Sequence, residues 1–194
     1  MRSAHVIRAT RETDIDLTLY LDGGEEAKIE TGIGFFDHML TALALHGGLG
    51  LSVHCKGDLR VDCHHTVEDI GIVLGQAFAK SLGDKAGIAR FGNVRVPMDE
   101  ALAEAVVDIS GRPYLVFDAA FTHPSIGEME TQMVREFWYA FAMNAGITLH
   151  LSLLYGDNDH HKAEALFKAA ARALREAVRE TGGGVLSTKG VLNL

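Results

Sequence analysis

His64-His65-Thr66-Val67-Glu68 returns later in the same chain as His160-His161-Lys162-Ala163-Glu164, and this duplicated His-His-x-x-Glu decides the fold: two homologous halves in one chain. The surroundings repeat with it. His54 precedes His64 by ten residues and His150 precedes His160 by the same ten, each inside a β-like run, 51–55 and 147–153. A small-residue helical pattern follows each motif, with Ile70, Leu74 and Phe78 on one stripe and Leu166, Ala170 and Leu174 on the other. With two extra residues allowed in the Gly47-Gly48 turn, His38 falls opposite Glu136.

Working outward, strands are expected at 6–10, 15–21 and 27–31, the middle one alternating strictly as Ile15-x-Leu17-x-Leu19-x-Leu21 before Gly23-Gly24. A helix is expected at 36–46, strands at 51–55 and 59–62, and a helix running to 82. The second half repeats the order with strands at 88–96, 105–109 and 114–120, a helix at 129–144, a strand at 147–153 and a helix to 180. Each half therefore reads β-β-β-α-β-α, 1–87 and 88–194. Strands with one apolar face, followed by helices, predict an α+β fold with the helices packed between two sheets.

A chain of 194 residues with 47% hydrophobic content can bury a full core, and no linker or low-complexity tract interrupts it. The net charge of −8 with scattered Lys and Arg argues against nucleic acid as a partner. The absence of a long apolar run and of an apolar leader predicts a cytoplasmic protein without a membrane span. Cys55 and Cys63 are too few to staple a fold and read as reduced thiols, Cys63 beside His64 being the one placed to ligate.

The duplicated motif points to bound metal. On a helix, residues i+3 and i+4 lie beside residue i, which brings Glu68 toward His64 and His65, and Glu164 toward His160 and His161. Adjacent histidines diverge by about 100°, so each pair should reach toward two ions rather than chelate one. His38 and Glu136 add one ligand type to each half. Imidazole and carboxylate suit a borderline six-coordinate ion such as Mn²⁺, with Fe²⁺, Co²⁺ and Zn²⁺ left open by side-chain type. His54 and His150, at matched strand positions, read as satisfied core histidines before partners of the ligands.

Three strings carry a resemblance: 31–40 (TGIGFFDHML), 62–71 (DCHHTVEDIG) and 160–169 (HHKAEALFKA). Together with Glu12, Arg90, Arg112 in Gly111-Arg112-Pro113-Tyr114, and the segment 187–192, they resemble the imidazoleglycerol-phosphate dehydratases of histidine biosynthesis over nearly the whole chain. The resemblance implies a manganese lyase that dehydrates imidazole glycerol phosphate to imidazole acetol phosphate, built as a twenty-four-subunit homo-oligomer, and the paired motifs lead to an expected two ions per subunit. The hydroxyl to be lost sits on the carbon bonded to the imidazole ring and the proton on the next carbon, where nothing makes it acidic. A metal-bound imidazolate is therefore the expected route to expel the hydroxyl before the neighbouring proton is lost and an enol forms. Eight ligands are expected: His38, His64, His65, Glu68, Glu136, His160, His161 and Glu164. Family members carry histidine where this chain has Glu136, a departure that a carboxylate still fits.

The same resemblance places Glu12 as an acid/base group, with His38, His65, Glu68, His161 and Glu164 around the reaction. It assigns His46, Arg90, Arg112, Lys168, Ser187 and Lys189 to a phosphorylated substrate, guanidinium forks suiting phosphate. Gly182-Gly183-Gly184 would let the tail fold over a ligand or reach a neighbour. Two rivals compete with this reading. A metal-storage helical bundle is opposed by the alternation at 15–21, and a metal-bridged assembly without turnover is opposed by Arg112 and Lys189.

Overall fold

The computed structural model describes residues 2–24, 27–190 and 192; Met1, Glu25, Glu26, Val191, Asn193 and Leu194 lie outside the described residues, Val191 being part of the C-terminal segment singled out above. The first half contains β1 (Ser3–Ala9), β2 (Thr13–Tyr20), β3 (Lys28–Glu30), α1 (Gly34–Gly47), β4 (Gly50–Gly57) and α2 (His64–Leu82). The second contains β5 (Phe91–Met98), β6 (Ala101–Asp108), β7 (Tyr114–Asp118), the short hairpin β8 (Ser125–Ile126) and β9 (Met129–Glu130), then α3 (Gln132–Ala145), β10 (Thr148–Tyr155) and α4 (Asp159–Val178).

The halves share one topology. The sheets run β1-β2-β4-β3 and β5-β6-β10-β7, antiparallel except for the last pair of each. Those parallel pairs need a crossover, and α1 and α3 supply it between β3 and β4 and between β7 and β10. Alternation turns Ile15, Leu17 and Leu19 into one sheet's core face and Ala101, Ala103, Ala105 and Val107 into the other's. The register of the repeat holds as well: His38 and Glu136 are each the fifth residue of a fourteen-residue helix, ended by Gly48 and Gly146 at φ 64° and 67°.

The helices fill the space between the sheets, with α2 on β1 and β2, α4 on β5 and β6, and the pairs α2–α3 and α1–α4 joining the halves. Glycine sets the first of these distances. A Cβ on Gly71 would stand 2.8 Å from the Phe137 carbonyl oxygen, and one on Gly75 2.6 Å from that of Phe141. These successive contacts also show that α2 and α3 run parallel. Trp138, Phe137, Phe141 and Phe167 pack at the centre, Trp138 edge-on to Phe137 and Phe141, and Phe167 stacked on Phe137. Asp69, buried on α2, accepts from Arg8 and Thr13 and ties the helix to the sheet edge.

Several boundaries differ from expectation. Residues 59–62 form a turn rather than a strand, closed by the Val61 N–H donating to the Asp58 carbonyl (2.8 Å), with Leu59 and Val61 exposed. The expected strand 88–96 begins only at Phe91, because Arg90 takes φ 71° and Ile88 keeps a single bridge to Glu180. The expected helix 129–144 begins at Gln132, since Gly127 at φ 58° folds Met129 and Glu130 back into the small hairpin. His54 and His150 are exposed on the outer sheet faces, so the core reading is corrected: the alternation that buries Val53 and Cys55 turns His54 outward, to Glu30 at 3.2 Å. No helix is long and apolar enough to cross a membrane among the described residues.

Candidate active site

Both motifs open a helix, and in both an Asx side chain fixes the opening. The Asp62 carboxylate accepts from the His64 N–H (2.8 Å), and at the matching position the Asn158 side chain accepts from the N–H groups of His160 (2.9 Å) and His161 (3.3 Å). The adjacent histidines diverge as helix geometry requires, with ring planes 79° apart for His64 and His65 and 82° apart for His160 and His161. Each glutamate meets the first histidine of its pair one turn away, His64 Nε2 to Glu68 at 3.3 Å and His160 Nε2 to Glu164 at 3.2 Å. Among the described residues neither glutamate has an ion pair with the second histidine, so the i+4 contact prevails over i+3 and the expected grouping of both imidazoles with the carboxylate is corrected.

The second histidines go elsewhere. His65 points Nδ1 at the Asp58 carboxylate (3.0 Å) and Nε2 toward Glu12 (3.6 Å). His161 points Nδ1 at Glu100 (2.7 Å) and Nε2 toward Asp99 (3.8 Å). The hydrogen bonds to Asp58 and to Glu100 raise the pKa of the two imidazoles. Glu100 itself is held down to about 2, first by the Asn158 N–H and then by His161. Sequence reading missed Asp58, Asp99 and Glu100. The only available signal was the position of Asp99-Glu100 at a β-turn, which matches the turn bearing Glu12.

One cluster has the form of a cation site. Ligand atoms of His38, His160 and Glu164 lie within 4.8 Å of one another, His38 Nε2 standing 3.4 Å from Glu164. Burial pushes the Glu164 carboxyl up, but Lys168 at 2.6 Å and His38 outweigh it and hold the group below its ordinary value. A negative oxygen among imidazoles matches the donor set of a divalent ion. Glu136 is not gathered into such a cluster among the described residues: its carboxylate accepts from Arg135 at 2.7 Å. Cys63 is buried at the α2 start, and burial raises its thiol, which disfavours the thiolate a metal needs.

The other expected residues fall into two groups. His46, at the end of α1, has its pKa lowered by burial and then by Lys168 and Arg172, which places it near that lysine. At a separate location, Arg90 grips Asp108 through two donors (2.7 and 3.1 Å) and the Leu186 carbonyl through a third (2.6 Å), while Arg112 stands 3.8 Å from Asp108. The tail carrying Ser187 and Lys189 is thus laid beside both arginines, Ser187 Oγ accepting from the Lys189 N–H at 3.1 Å.

A family profile described as Imidazoleglycerol-phosphate dehydratase matches residues 31–174. The imidazoleglycerol-phosphate dehydratase of Gluconacetobacter diazotrophicus is 59% identical over 194 residues, 98% of each chain. That of Methanococcoides burtonii is 57% identical over 192 residues, 99% of this chain and all of its own. Among solved structures, the Staphylococcus aureus imidazoleglycerol-phosphate dehydratase superposes with a TM-score of 0.85 at 41% identity, covering 92% of this chain and 99% of its own. The Pyrococcus furiosus protein in complex with (S)-C348 gives 0.84 at 40% identity, covering 96% and 100%.

Proposed function

Because this chain belongs to the imidazoleglycerol-phosphate dehydratase family, a family of lyases, we propose that it removes water from imidazole glycerol phosphate to give imidazole acetol phosphate in histidine biosynthesis, as a cytoplasmic enzyme. The observation that carries the reading to chemistry is the convergence of His38, His160 and Glu164 within ligand distance of one another. That donor set fits Mn²⁺. We assign a first ion to this cluster and a second to the motif at His64 and Glu68, with His65, His161 and Glu136 as further ligands. Bound Mn²⁺ would supply an electrophile and a template for the substrate imidazole.

The protein groups supply the rest. Glu12, half exposed in the β1–β2 turn and 3.6 Å from His65, is the acid/base candidate for the departing hydroxyl. Its position beside the second histidine of one motif is matched by Asp99 beside that of the other. His46, with a lowered pKa, meets substrate as a neutral imidazole. Lys168 balances the Glu164 carboxylate at the edge of the cluster. Lys189 and Arg112, whose guanidinium stands 3.8 Å from Asp108, are both exposed and can turn to a phosphate, with Arg90 and Ser187 framing them.

The reading also includes assembly into a twenty-four-subunit shell. The described cluster offers three ligands where a six-coordinate ion takes more, so a neighbouring copy is a natural source of the remainder. The test is incubation of Mn-loaded protein with imidazole glycerol phosphate and detection of the ketone product. Bound metal without product would leave only a metal-bridged assembly.

A further inference from the structure

Two carboxylates absent from the ligand set stand at equivalent nitrogens of the two halves. Asp58 places both oxygens 3.0 and 3.2 Å from Nδ1 of His65, and Glu100 places Oε2 2.7 Å from Nδ1 of His161. We propose that Asp58 and Glu100 are positioning residues, each holding the second histidine of its motif in the tautomer that leaves Nε2 open to an ion. The proposal rests on the metal reading above and deepens it.

The repeat did not copy these contacts. Asp58 comes from the turn after β4, and the residue at the matching spacing in the second half is Leu154, still inside β10. Glu100 comes from the β5–β6 turn, whose counterpart in the first half carries Glu12 at Nε2 instead. The same hydrogen bond is thus built from unrelated elements. The chemistry explains why it would be built twice. A carboxylate can only accept, and a neutral imidazole has one N–H, so the proton is drawn to Nδ1 and the lone pair stays on Nε2. Both rings are partly exposed, at 32% and 26%, and would otherwise sample either tautomer and either flip.

The two anchors differ in stiffness, and this makes the idea testable. Glu100 is fixed from three sides, since its Oε1 accepts from the N–H groups of Asp157 (3.1 Å) and Asn158 (2.8 Å) while Oε2 faces His161. In Glu100→Gln the amide oxygen stays with those two donors and the NH₂ turns to Nδ1, which drives the ring proton onto Nε2. Among the described residues the Asp58 carboxylate has no such backbone donors, so Asp58→Asn can rotate its oxygen to Nδ1 and keep the tautomer. Asp58→Ala cannot.

Mn²⁺ affinity of the full-length assembled protein, measured by chelator competition, should fall about 10- to 100-fold in Glu100→Gln and Asp58→Ala and stay near that of the unsubstituted protein in Asp58→Asn. The metal-free melting temperatures of all three should match the unsubstituted protein. Unchanged affinity in Glu100→Gln and Asp58→Ala would overturn the assignment. So would an affinity loss that appears only alongside a fall in metal-free melting temperature, which marks a merely structural role. If the unsubstituted protein binds no Mn²⁺, the metal reading itself falls and takes this proposal with it, an outcome distinct from the other two.

Discussion

His38 on α1 carries its Nε2 3.4 Å from Oε2 of Glu164 on α4, so a residue of the first half completes the cluster opened by the motif of the second. The parallel pairing of α1 and α4 makes this possible: Phe35 and His160, near the two helix starts, already touch at 5.1 Å between ring centroids.

Glu164→Ala and His38→Ala should therefore each remove one of two bound ions and abolish turnover, while Glu68→Ala should remove the other. Glu164 is the only carboxylate of its cluster, and without it Lys168 would stand unbalanced beside the imidazoles. Elemental analysis of purified variants decides the point. Two ions retained in either variant would return His38 and Glu164 to an ordinary interhelical contact.

Arg112→Ala and Lys189→Ala should raise KM for the phosphorylated substrate about tenfold or more, with metal content unchanged, because a charge-assisted contact to phosphate is lost and the ligand cluster is not touched. Arg90→Ala should do more. Its guanidinium also holds the Leu186 carbonyl, so the tail bearing Ser187 and Lys189 loses its anchor. Steady-state kinetics separate the cases, and an unchanged KM would remove that residue from phosphate recognition.

The duplicated motif made the two halves, the six elements they share and the helix placement of the histidines legible, because a helix fixes where i+4 goes whatever surrounds it, while the small β8–β9 hairpin of the second half went unforeseen. What lay outside local periodicity was hidden. Nothing near His161 in sequence announces Glu100, which reaches it from a hairpin turn. The exposure of His54 and His150 followed from sheet alternation but was obscured by their match across the repeat. The turn at 59–62 looked strand-like because Leu59 and Val61 alternate with polar residues, and only the Asp58 to Val61 hydrogen bond shows otherwise. The arginine pair around Asp108 came from family resemblance and not from any spacing rule.

Asp159 should govern stability rather than chemistry. It is buried, accepts from the N–H groups of Thr122 (3.0 Å) and His123 (2.7 Å), and pairs with buried Lys162 at 2.8 Å. Burial pushes its carboxyl up, but Lys162 and these donors prevail and hold it well below the ordinary carboxylate range. Asp159→Asn leaves Lys162 buried without its partner and should cost about 3 kcal/mol. A depressed folded value means that this contribution is complete above the unfolded carboxylate pKa of about 4 and is lost as pH falls through the folded one. The urea-unfolding deficit of the variant should then be equal at pH 7 and pH 5 and narrow only in strong acid. A deficit that already halves at pH 5 would contradict the assignment.

Assembly and metal should be coupled. The described cluster supplies three ligands from one chain, fewer than a six-coordinate ion takes, and exposed apolar residues such as Tyr114, Tyr155 and Phe91 leave surface for another copy to cover. An ion that draws its remaining ligands from a neighbour binds the assembled state more tightly than the separated one, and by linkage it then stabilises the larger particle. Chelation should yield smaller oligomers, and Mn²⁺ should restore both the large particle and turnover. Light scattering before and after verified metal removal reads the outcome. Unchanged mass would show that protein contacts alone hold the particle together, and full activity in a monomer would show that one chain completes its own sites.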